Sequence, residues 1–418
     1  MGVFSAFSVA LSALQAESAG IDTTGNNLAN LNTTGFKGST VDFQDMVSQA
    51  MGASASSDVG LGVTTPLNIQ QFTQGSIETS SSATDAAIEG NGFFVVQGAN
   101  GQQLFTRDGS FTVSANGTLQ TQTGEDVQGW TSTAGVLNTN GAIGNIIVPS
   151  GTILPPVATQ NVTMDVNLNA DANADATSTF SQPIQVYDSL GEAHTLTATF
   201  VKTGANAWSE TITIPGADVG STTGPTTLGT QALTFDPATG LLKTPAAGTP
   251  IALTISGLAD GATFPAAINV NLYNSDGTPA LTQYAQPSAL SSSTQDGSAA
   301  AQMTSIAINT GGLVTATFSN GQTQTEGQIA VANIENPDTL TNVGNNEFAV
   351  SGLTAAPAIG TAQTGGRGQI LGNSLEESNV DMATQFTNLI VFQRGYEAAT
   401  KVISTADTMS QDLIQLIT

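Results

Sequence analysis

The feature that most constrains this chain is a helical pattern at each of its two ends. Near the start, alternating steps of three and four connect Phe4, Phe7, Leu11, Leu14, Ile21 and Leu28 through two weak positions, Ser18 and Gly25. Near the end, such steps connect a second series that includes Leu389, Phe392, Tyr396, Ile403, Leu413 and Ile417. This spacing is the period of an a/d seam, and it predicts one helix over residues 3–28 and a second of roughly forty residues.

The apolar residues of both seams must be buried against a partner. One interpretation makes them core helices of a closed globular protein. The sequence between them predicts β structure, however, and offers no matching helical face. We therefore expect a coiled-coil-like inner core in which the helices pack on each other and on copies in other subunits, so that the chain forms a homo-oligomer. Ser374 or Ser378 is the expected N-cap of the second helix, with Glu377 in capping-box spacing to Ser374.

Between the helices, short alternating runs and turn signals predict strands. Asp108-Gly109 and Asn116-Gly117 are strong hairpin signals in the first block. A second block, with long Thr/Gly/Pro-rich loops, interrupts this pattern before it returns. We expect an α+β fold with two mostly antiparallel β domains, the outer inserted in the inner. The expected domains are a core helix (1–30), a connecting elbow segment (31–70), the inner β domain (71–148 and 288–360), the outer β domain (149–287), and a connecting segment with the C-terminal core helix (361–418).

The charge balance excludes several classes of partner. Charged residues make up only 9% of the chain, and seven Lys and Arg stand against 32 Asp and Glu, a net charge of −25. Nucleic acid and anionic membranes are poor partners, since both attract clustered basic residues. No apolar run is long enough to span a bilayer, so we expect no membrane insertion. No Lys or Arg precedes Lys37, so the basic region of a signal peptide is missing and we expect no cleaved signal.

The sequence offers no credible active site. The single histidine, His194, lies beside a Gly turn, and we expect it at the surface rather than acting as a base. D-A-N-A-D-A at 171–176 copies the first ligand positions of a calcium loop, but Ala176 replaces the required Gly and Gln182 the final Glu. There is no cysteine for a thiolate metal site. We expect no catalytic, cofactor-binding or metal-binding residues, no cofactor and no enzymatic activity.

A turn-rich elbow follows the first helix. Its residues are Asn30, Asn32, Thr33, Gly35, Phe36 and Lys37, within A-N-L-N-T-T-G-F-K at 29–37. Asn30 and Gly35 can supply the left-handed geometry that ends a helix and turns the chain outward. Lys37 is either a contact between subunits or a solvated loop lysine. Arg394 is likewise either a solvated helix residue or a partner for Glu17 or Asp22 of another subunit.

Three ordered segments resemble the bacterial flagellar rod and hook axial proteins. The elbow at 29–37 resembles the family's N-terminal signature, and 90–96 with 105–129 resembles its shared β segment. Residues 375–409 resemble its C-terminal signature, although members commonly carry Asn at the position of Ala399. The residues singled out in this C-terminal motif are Ser378, Asn379, Val380, Asp381, Gln393, Arg394 and Tyr396.

Within the family, residues 186–200 and 319–350 resemble hook members rather than rod members. The resemblance implies a structural subunit of a curved, hollow tube that acts as a universal joint between rod and filament, outside the cell. It also implies export through the flagellar type III apparatus, and contact with the hook cap, distal rod and hook–filament junction proteins. The alternatives are a distal rod or other axial protein, and a secreted β-rich adhesin, which would leave the two seams unexplained.

Overall fold

The computed structural model describes residues 3–46, 49–50, 58–59, 62–133, 135–148, 151, 153–175, 177–264 and 266–417. Within these ranges a long α-helix lies near each end of the chain, and β-strands lie along the sequence between them. The α+β class predicted from the sequence is confirmed. The chain divides into two compact units: unit one contains Met1–Ser150, Ser305–Thr317 and Thr323–Thr418, and unit two contains Gly151–Thr304 and Phe318–Gln322.

The two helices are α1, Val3–Ala29, and α2, Met382–Ile417. The range of α1 agrees closely with the prediction, but the predicted N-cap of α2 is wrong. Asp381 caps α2, because its Oδ1 accepts the backbone N–H of Thr384 at 2.7 Å. Ser374 is instead part of a strand, and the Oγ of Ser378 accepts the N–H of Val380 before the helix begins.

The strands range from two residues to the twelve of β17, Ala193–Gly204. Before residue 150 they are β1 (Ser39–Asp42), β2 (Gln49–Ala50), β3 (Asp58–Val59), β4 (Leu67–Gln70), β5 (Ile77–Thr79), β6 (Ala86–Glu89), β7 (Phe93–Gln97), β8 (Gln103–Thr106), β9 (Phe111–Val113), β10 (Leu119–Thr121), β11 (Asp126–Thr133), β12 (Val136–Leu137) and β13 (Gly144–Asn145). Then follow β14 (Ile153–Leu154), β15 (Asn161–Asn169), β16 (Thr179–Tyr187), β17 (Ala193–Gly204), β18 (Ala207–Ile214), β19 (Thr226–Phe235), β20 (Leu242–Thr244), β21 (Ile251–Leu253), β22 (Ile268–Asn271), β23 (Leu281–Tyr284) and β24 (Ala289–Gln295). The last group is β25 (Ala301–Asn309), β26 (Leu313–Phe318), β27 (Thr323–Ile329), β28 (Val331–Asn333), β29 (Thr341–Gly344), β30 (Glu347–Ala349), β31 (Ala358–Gly360), β32 (Gln369–Gly372) and β33 (Ser374–Glu376).

In unit one, β7 is the centre of an antiparallel sheet and pairs with β8, β11 and β28. Four consecutive residues of β7, F-F-V-V, are buried, as expected for a strand that is covered on both faces. Phe93 packs edge-on against Phe72 and Phe348 in the core. The pairs β5–β33 and β6–β32 are also antiparallel, so the segment that leads into α2 is fixed to the β part of this unit.

Unit two contains two five-stranded sheets, and their side chains share one core cluster. The first sheet, β16 to β20 in sequence order, is antiparallel. In the second, β15 pairs in parallel with β22 and β23 but antiparallel with β24, and β21 pairs antiparallel with β22, so unit two is mostly antiparallel, as expected. Buried residues alternate with half-buried ones along β18, which places Trp208 and Ile212 in the core.

The structure moves the end of the second β domain from the expected residue 287 to residue 304. The reason is β24, which pairs antiparallel with β15 in the middle of unit two. Its sequence, A-L-S-S-S-T-Q, has little apolar alternation. The periodicity that identifies a strand's partner face is therefore weak here.

Candidate functional site

The elbow after α1 meets the strand before α2 at a buried ion-pair cluster. Glu376 of β33 is its centre: Lys37 Nζ lies 2.6 Å from Oε1, and Arg107 Nη1 lies 3.0 Å from Oε2. The backbone N–H of Gly75 also donates to Oε1, at 2.9 Å. The side chains of Lys37 and Glu376 are 0% exposed. Buried charges persist in proteins only when they are paired and hydrogen-bonded, and here both conditions are met.

Both predicted roles of Lys37 are therefore wrong, since it is neither solvated nor available to another subunit. Its Nζ also donates to the carbonyl of Thr73 at 2.8 Å, and Arg107 donates to the carbonyls of Ile88 and Gly90. Burial lowers the pKa of Lys37 and of Arg107, and the Glu376 carboxylate opposes this shift in each case. The cluster joins segments from both ends of the sequence within unit one.

Gly35 supplies the left-handed geometry that the sequence predicted for the elbow. Its φ is +68°, and a Cβ there would lie 2.5 Å from the backbone nitrogen of Asp108. Its own N–H donates to the carbonyl of Glu376 at 2.7 Å. Only glycine fits a position with this conformation and this close approach of two backbones. Phe36 and Lys37 are thereby directed into the interior of unit one, where both are buried.

Two asparagines hold the elbow to the helices. The Asn379 amide accepts the N–H of Gly38 at 2.8 Å and donates to the carbonyl of Gln71 at 2.7 Å. Asn27, in the last turns of α1, both donates to the carbonyl of Ser39 and accepts its N–H. Each amide side chain thus takes the place of a missing backbone partner, which fixes the direction of the chain as it leaves the helix.

The remaining motif residues are spread over the same region. Asn30 donates to the carbonyl of Asn26 at 2.9 Å and accepts from the hydroxyl of Thr33, whereas Asn32 is exposed. A Cβ at Gly38 would lie 3.0 Å from Val380. Further along α2, Gln393, Arg394 and Tyr396 are exposed and belong to the helix surface rather than to the junction.

Sequence reasoning missed three residues of this junction: Asn27, Arg107 and Glu376. Arg107 and Glu376 each lie within a segment that carries the family resemblance, as does Lys37. The chain has only seven Lys and Arg, and two of them, Lys37 and Arg107, lie in such segments. Because buried cations need paired anions, a carboxylate partner in the third segment could have been predicted. Asn27 left a weaker signal, as a polar residue next to the seam position Leu28.

The helices pack against each other in antiparallel directions. Three contact pairs define the register: Asn27–Gln385, Gly20–Phe392 and Glu17–Gly395. Residues nearer the C-terminus of α2 contact residues nearer the N-terminus of α1. A Cβ at Gly20 would lie 2.9 Å from the ring of Phe392, so this glycine leaves the space that the ring occupies.

This contact leaves much of the two seams uncovered. Phe7 and Leu11 are each 44% exposed, and Tyr396 is 43% exposed. The half-buried seam residues are Leu14, Ile21, Leu28, Leu389, Phe392 and Ile403, while the side chains of Phe4, Leu413 and Ile417 lie outside the described residues. The fully buried helix positions are mostly small or polar: Ala10, Ala16, Gly20, Thr23, Thr24, Asn27, Ala399 and Ala406.

Helix α2 exposes further large apolar side chains away from α1. By the helical period they form two stripes, one of Met382, Phe386 and Ile390 and another of Val391, Val402 and Met409. Ile390 and Val391 are 58% and 59% exposed. Over the described part of the chain, neither helix is long and apolar enough to cross a membrane.

In unit two, the lone histidine is not at the surface as predicted. His194 is buried, with Nδ1 3.1 Å from Asp218 Oδ2 and Nε2 3.2 Å from Asp188 Oδ2. Burial opposes protonation of the ring, but the two carboxylates outweigh it and raise the pKa of His194. The prediction failed because Asp218 comes from a short 3-10 helix, Gly216–Val219, that the sequence did not place beside His194.

Four family profiles match the chain. They are "Flagella basal body rod protein" at residues 7–37, "Flagellar hook protein FlgE/F/G D1 domain" at 87–172, "Flagellar basal body protein FlaE D2 domain" at 154–298 and "Flagellar basal body rod FlgEFG protein C-terminal" at 371–416. The first and last of these cover the elbow and most of α1 and α2. No enzyme family is among these four.

Full-length relatives agree with the profiles. The chain is 33% identical to "Flagellar hook protein FlgE" of Treponema pallidum, with 97% of this chain and 98% of the relative covered. It is 32% identical to the protein of that name from Escherichia coli, with 98% and 100% covered. A crystal structure of Helicobacter pylori flagellar hook protein FlgE2 has a similar fold, with a TM-score of 0.54 and 15% identity over 70% of this chain and 99% of that one. By these matches along its whole length, the chain belongs to the bacterial flagellar hook protein family.

Proposed function

We propose that the chain is the structural subunit of a bacterial flagellar hook and polymerises through α1 and α2. The observation that carries the proposal is the set of large apolar side chains that the α1–α2 contact leaves exposed. Contiguous exposed apolar surface marks interaction sites, and a helix with apolar residues on several sides is stable when it is surrounded. Because both helices carry such residues, further copies of the same helix pair are the partners that fit.

In this proposal the terminal helices form the coiled-coil-like inner core of a hollow tube, and the β domains lie outside it. The predicted seam residues, among them Leu14, Ile21 and Ile403, would pack partly within one subunit and partly between subunits. The buried cluster around Glu376 would then fix the direction in which the chain leaves this core. A rigid junction of this kind would let many crowded helix pairs keep the same geometry.

We further propose the role implied by the family, a curved tube that acts as a universal joint and transmits torque from rod to filament. The subunit would lie outside the cell, be exported by the flagellar type III apparatus without a cleaved signal, and contact the hook cap, distal rod and hook–filament junction proteins. A low content of charged residues, 9%, suits subunit contacts that must slide as the tube bends. A distal rod role fits less well, since hook relatives match the chain over almost its whole length.

Electron microscopy of two charged variants tests the assembly surface. Ile390→Asp and Val402→Asp each place a carboxylate on an exposed stripe of α2. We expect each monomer to keep native circular dichroism, with a free energy of unfolding within about 0.5 kcal/mol of the parent chain, because neither side chain is buried. Tubes formed by the parent chain should be lost, since assembly would bury an unpaired charge.

Leu353→Asp is the matched control, because Leu353 is 81% exposed and lies outside both helices. This variant should assemble like the parent chain. Normal tubes from both helix variants would show that the exposed stripes of α2 are not the assembly surface.

A further inference from the structure

Unit two gathers three carboxylates around the single imidazole of the chain. Asp188 follows β16, His194 lies at the start of β17, and Asp260 lies between β21 and β22. One possible ligand atom from each of these three residues lies within 4.8 Å of the other two. Asp188 is fully buried, whereas Asp260 is exposed and leaves the group open to solvent.

Backbone hydrogen bonds fix the two carboxylates in place. Oδ1 of Asp188 accepts the N–H groups of Leu190 and Glu192 at 2.8 and 2.9 Å. Oδ1 of Asp260 accepts the N–H of Ala262 at 2.9 Å. Each carboxylate therefore has one oxygen held by the backbone and a second oxygen left for another partner. For Asp188 that second oxygen, Oδ2, is the one 3.2 Å from His194 Nε2.

The histidine ring is also held in a specific orientation. Its Nδ1 lies 3.1 Å from Asp218 Oδ2, so an Nδ1–H can donate to that carboxylate. Nε2 lies at hydrogen-bond distance from Asp188 Oδ2, so an Nε2–H donates to this carboxylate until an ion displaces the proton and binds the Nε2 lone pair. A carboxylate that orients a histidine in this way is the usual outer partner of a metal-bound imidazole. The separation of Nε2 and Oδ2 is close to the roughly 3.3 Å between neighbouring ligands of a tetrahedral ion with bonds of about 2.0 Å.

The cluster also lacks compensation from fixed cations. Unit two contains two basic residues, Lys202 and Lys243. Lys202 Nζ donates to the carbonyls of Ala170 and Ala172. Across the described residues, the ion pairs of Lys and Arg all lie in unit one, so the imidazole alone faces the three carboxylates. A divalent cation among these groups would reduce their mutual repulsion.

We propose that Asp188, His194 and Asp260 bind a divalent transition-metal ion of the Zn²⁺ class, with Asp218 as the positioning residue for the ring. One imidazole and two carboxylates suit Zn²⁺, whereas Ca²⁺ and Mg²⁺ prefer ligand sets made of oxygen alone. Water fills the position on the exposed side. The bound ion joins the loop after β16 to the loop between β21 and β22, and it thereby stabilises unit two.

The test uses the full chain in metal-free buffer, titrated with zinc chloride in a calorimeter. We expect one zinc ion per chain. We also expect a shift of the His194 ring signals in NMR, whose assignment is unambiguous because the chain has one histidine. Asp260→Asn should weaken binding at least about tenfold and His194→Gln at least about a hundredfold. Calcium chloride should bind far more weakly than zinc chloride.

The matched control is Asp276→Asn, an exposed turn residue of unit two, which should leave zinc affinity unchanged. Saturable binding that is equal in the Asp260 and His194 variants would overturn the proposal. An absence of zinc binding, unshifted ring signals at saturation, or equal affinity for calcium would do so as well. If His194→Gln fails to fold, the exposed Asp260→Asn and the ring signals of the parent chain decide the question.

Discussion

Two glutamates at the same degree of burial have opposite surroundings. Glu376 in unit one and Glu210 in unit two are both 0% exposed. Glu376 lies 2.6 Å from Lys37 and 3.0 Å from Arg107, whereas neither carboxyl oxygen of Glu210 has a hydrogen-bond partner among the described residues. The same side chain therefore acts as an ionic link in one unit and as an isolated core group in the other.

The difference follows from what each position must do. Glu376 joins the elbow after α1 to the strand before α2, and such a link between distant segments gains specificity from charge and hydrogen bonds. Glu210 lies in β18 opposite Phe200 of β17 and Gln231 of β19, inside a sheet whose core needs no such link. Burial raises the pKa of Glu210 to about 8, so the protonated form is favoured at neutral pH.

The largest effect is expected at the paired glutamate. Glu376→Ala leaves the buried Lys37 and Arg107 without their anion, and we expect a loss of about 3–5 kcal/mol in the free energy of unfolding of unit one. Urea unfolding followed by Trp130 fluorescence measures this, in a Trp208→Phe background that removes the signal of unit two. The chain has two tryptophans, so the assignment is direct.

Glu377→Ala is the control for this prediction, because Glu377 is the adjacent glutamate and is only half-buried. It should change the free energy of unfolding by about 0.5 kcal/mol or less. Equal, small losses from both variants would mean that Lys37 and Arg107 do not remain buried and unpaired once Glu376 is removed, and the contrast with Glu210 would disappear.

The unpaired Glu210 is expected to make the stability of unit two depend on pH. The native state keeps a proton on Glu210 that the unfolded chain, with its ordinary pKa of 4.5, releases at lower pH. Unit two should therefore lose stability as the pH rises from about 5 toward 8, by about 1.4 kcal/mol per pH unit from this group. Between pH 5.5 and 7.5 the contribution is about 2–3 kcal/mol.

Glu210→Gln removes this titration and keeps a side chain of similar shape. Its unfolding is followed by Trp208 fluorescence in a Trp130→Phe background. Between pH 5.5 and 7.5 its free energy of unfolding should fall by about 2–3 kcal/mol less than that of the parent chain. The difference between the two proteins isolates Glu210 from other groups that titrate. Parallel pH profiles would show that Glu210 is ionised in the folded chain and has found a partner.

Periodicity predicted which segments are helices and strands, but not the partners of their polar residues. The seam spacing located α1 almost to the residue, and polar and apolar residues alternate along most of β18, A-W-S-E-T-I-T-I, as in a strand. That alternation also places Glu210 on the inner face with Trp208 and Ile212, against its polarity. Lys37 and Glu376 are 339 positions apart, and His194 and Asp218 are 24 apart, so neither pairing leaves a local pattern. Gly20 and Gly395 lie in the contact between the two helices although neither is a predicted seam position. The seam spacing therefore did not predict which seam residues the helix pair covers.

A third glutamate, paired but exposed, gives the smallest expected effect. Arg394 Nη1 lies 2.9 Å from Glu397 Oε2 one turn along α2, and the two side chains are 77% and 66% exposed. Solvent screens such a pair, so Arg394→Ala should change the free energy of unfolding of the monomer by about 0.5 kcal/mol or less. Urea unfolding of dilute monomer measures this, with Lys401→Ala as a control cation on the same helix that is also exposed.

Assembly separates the two interpretations of Arg394. If this residue pairs with Asp22 of another subunit, Arg394→Ala should slow tube formation and the charge swap Arg394→Asp with Asp22→Arg should restore it. Glu17 is a weaker candidate, because its carboxylate lies against Gly395 within the same chain. Unchanged assembly of Arg394→Ala would leave Arg394 as a solvated residue and reject both cross-subunit pairings.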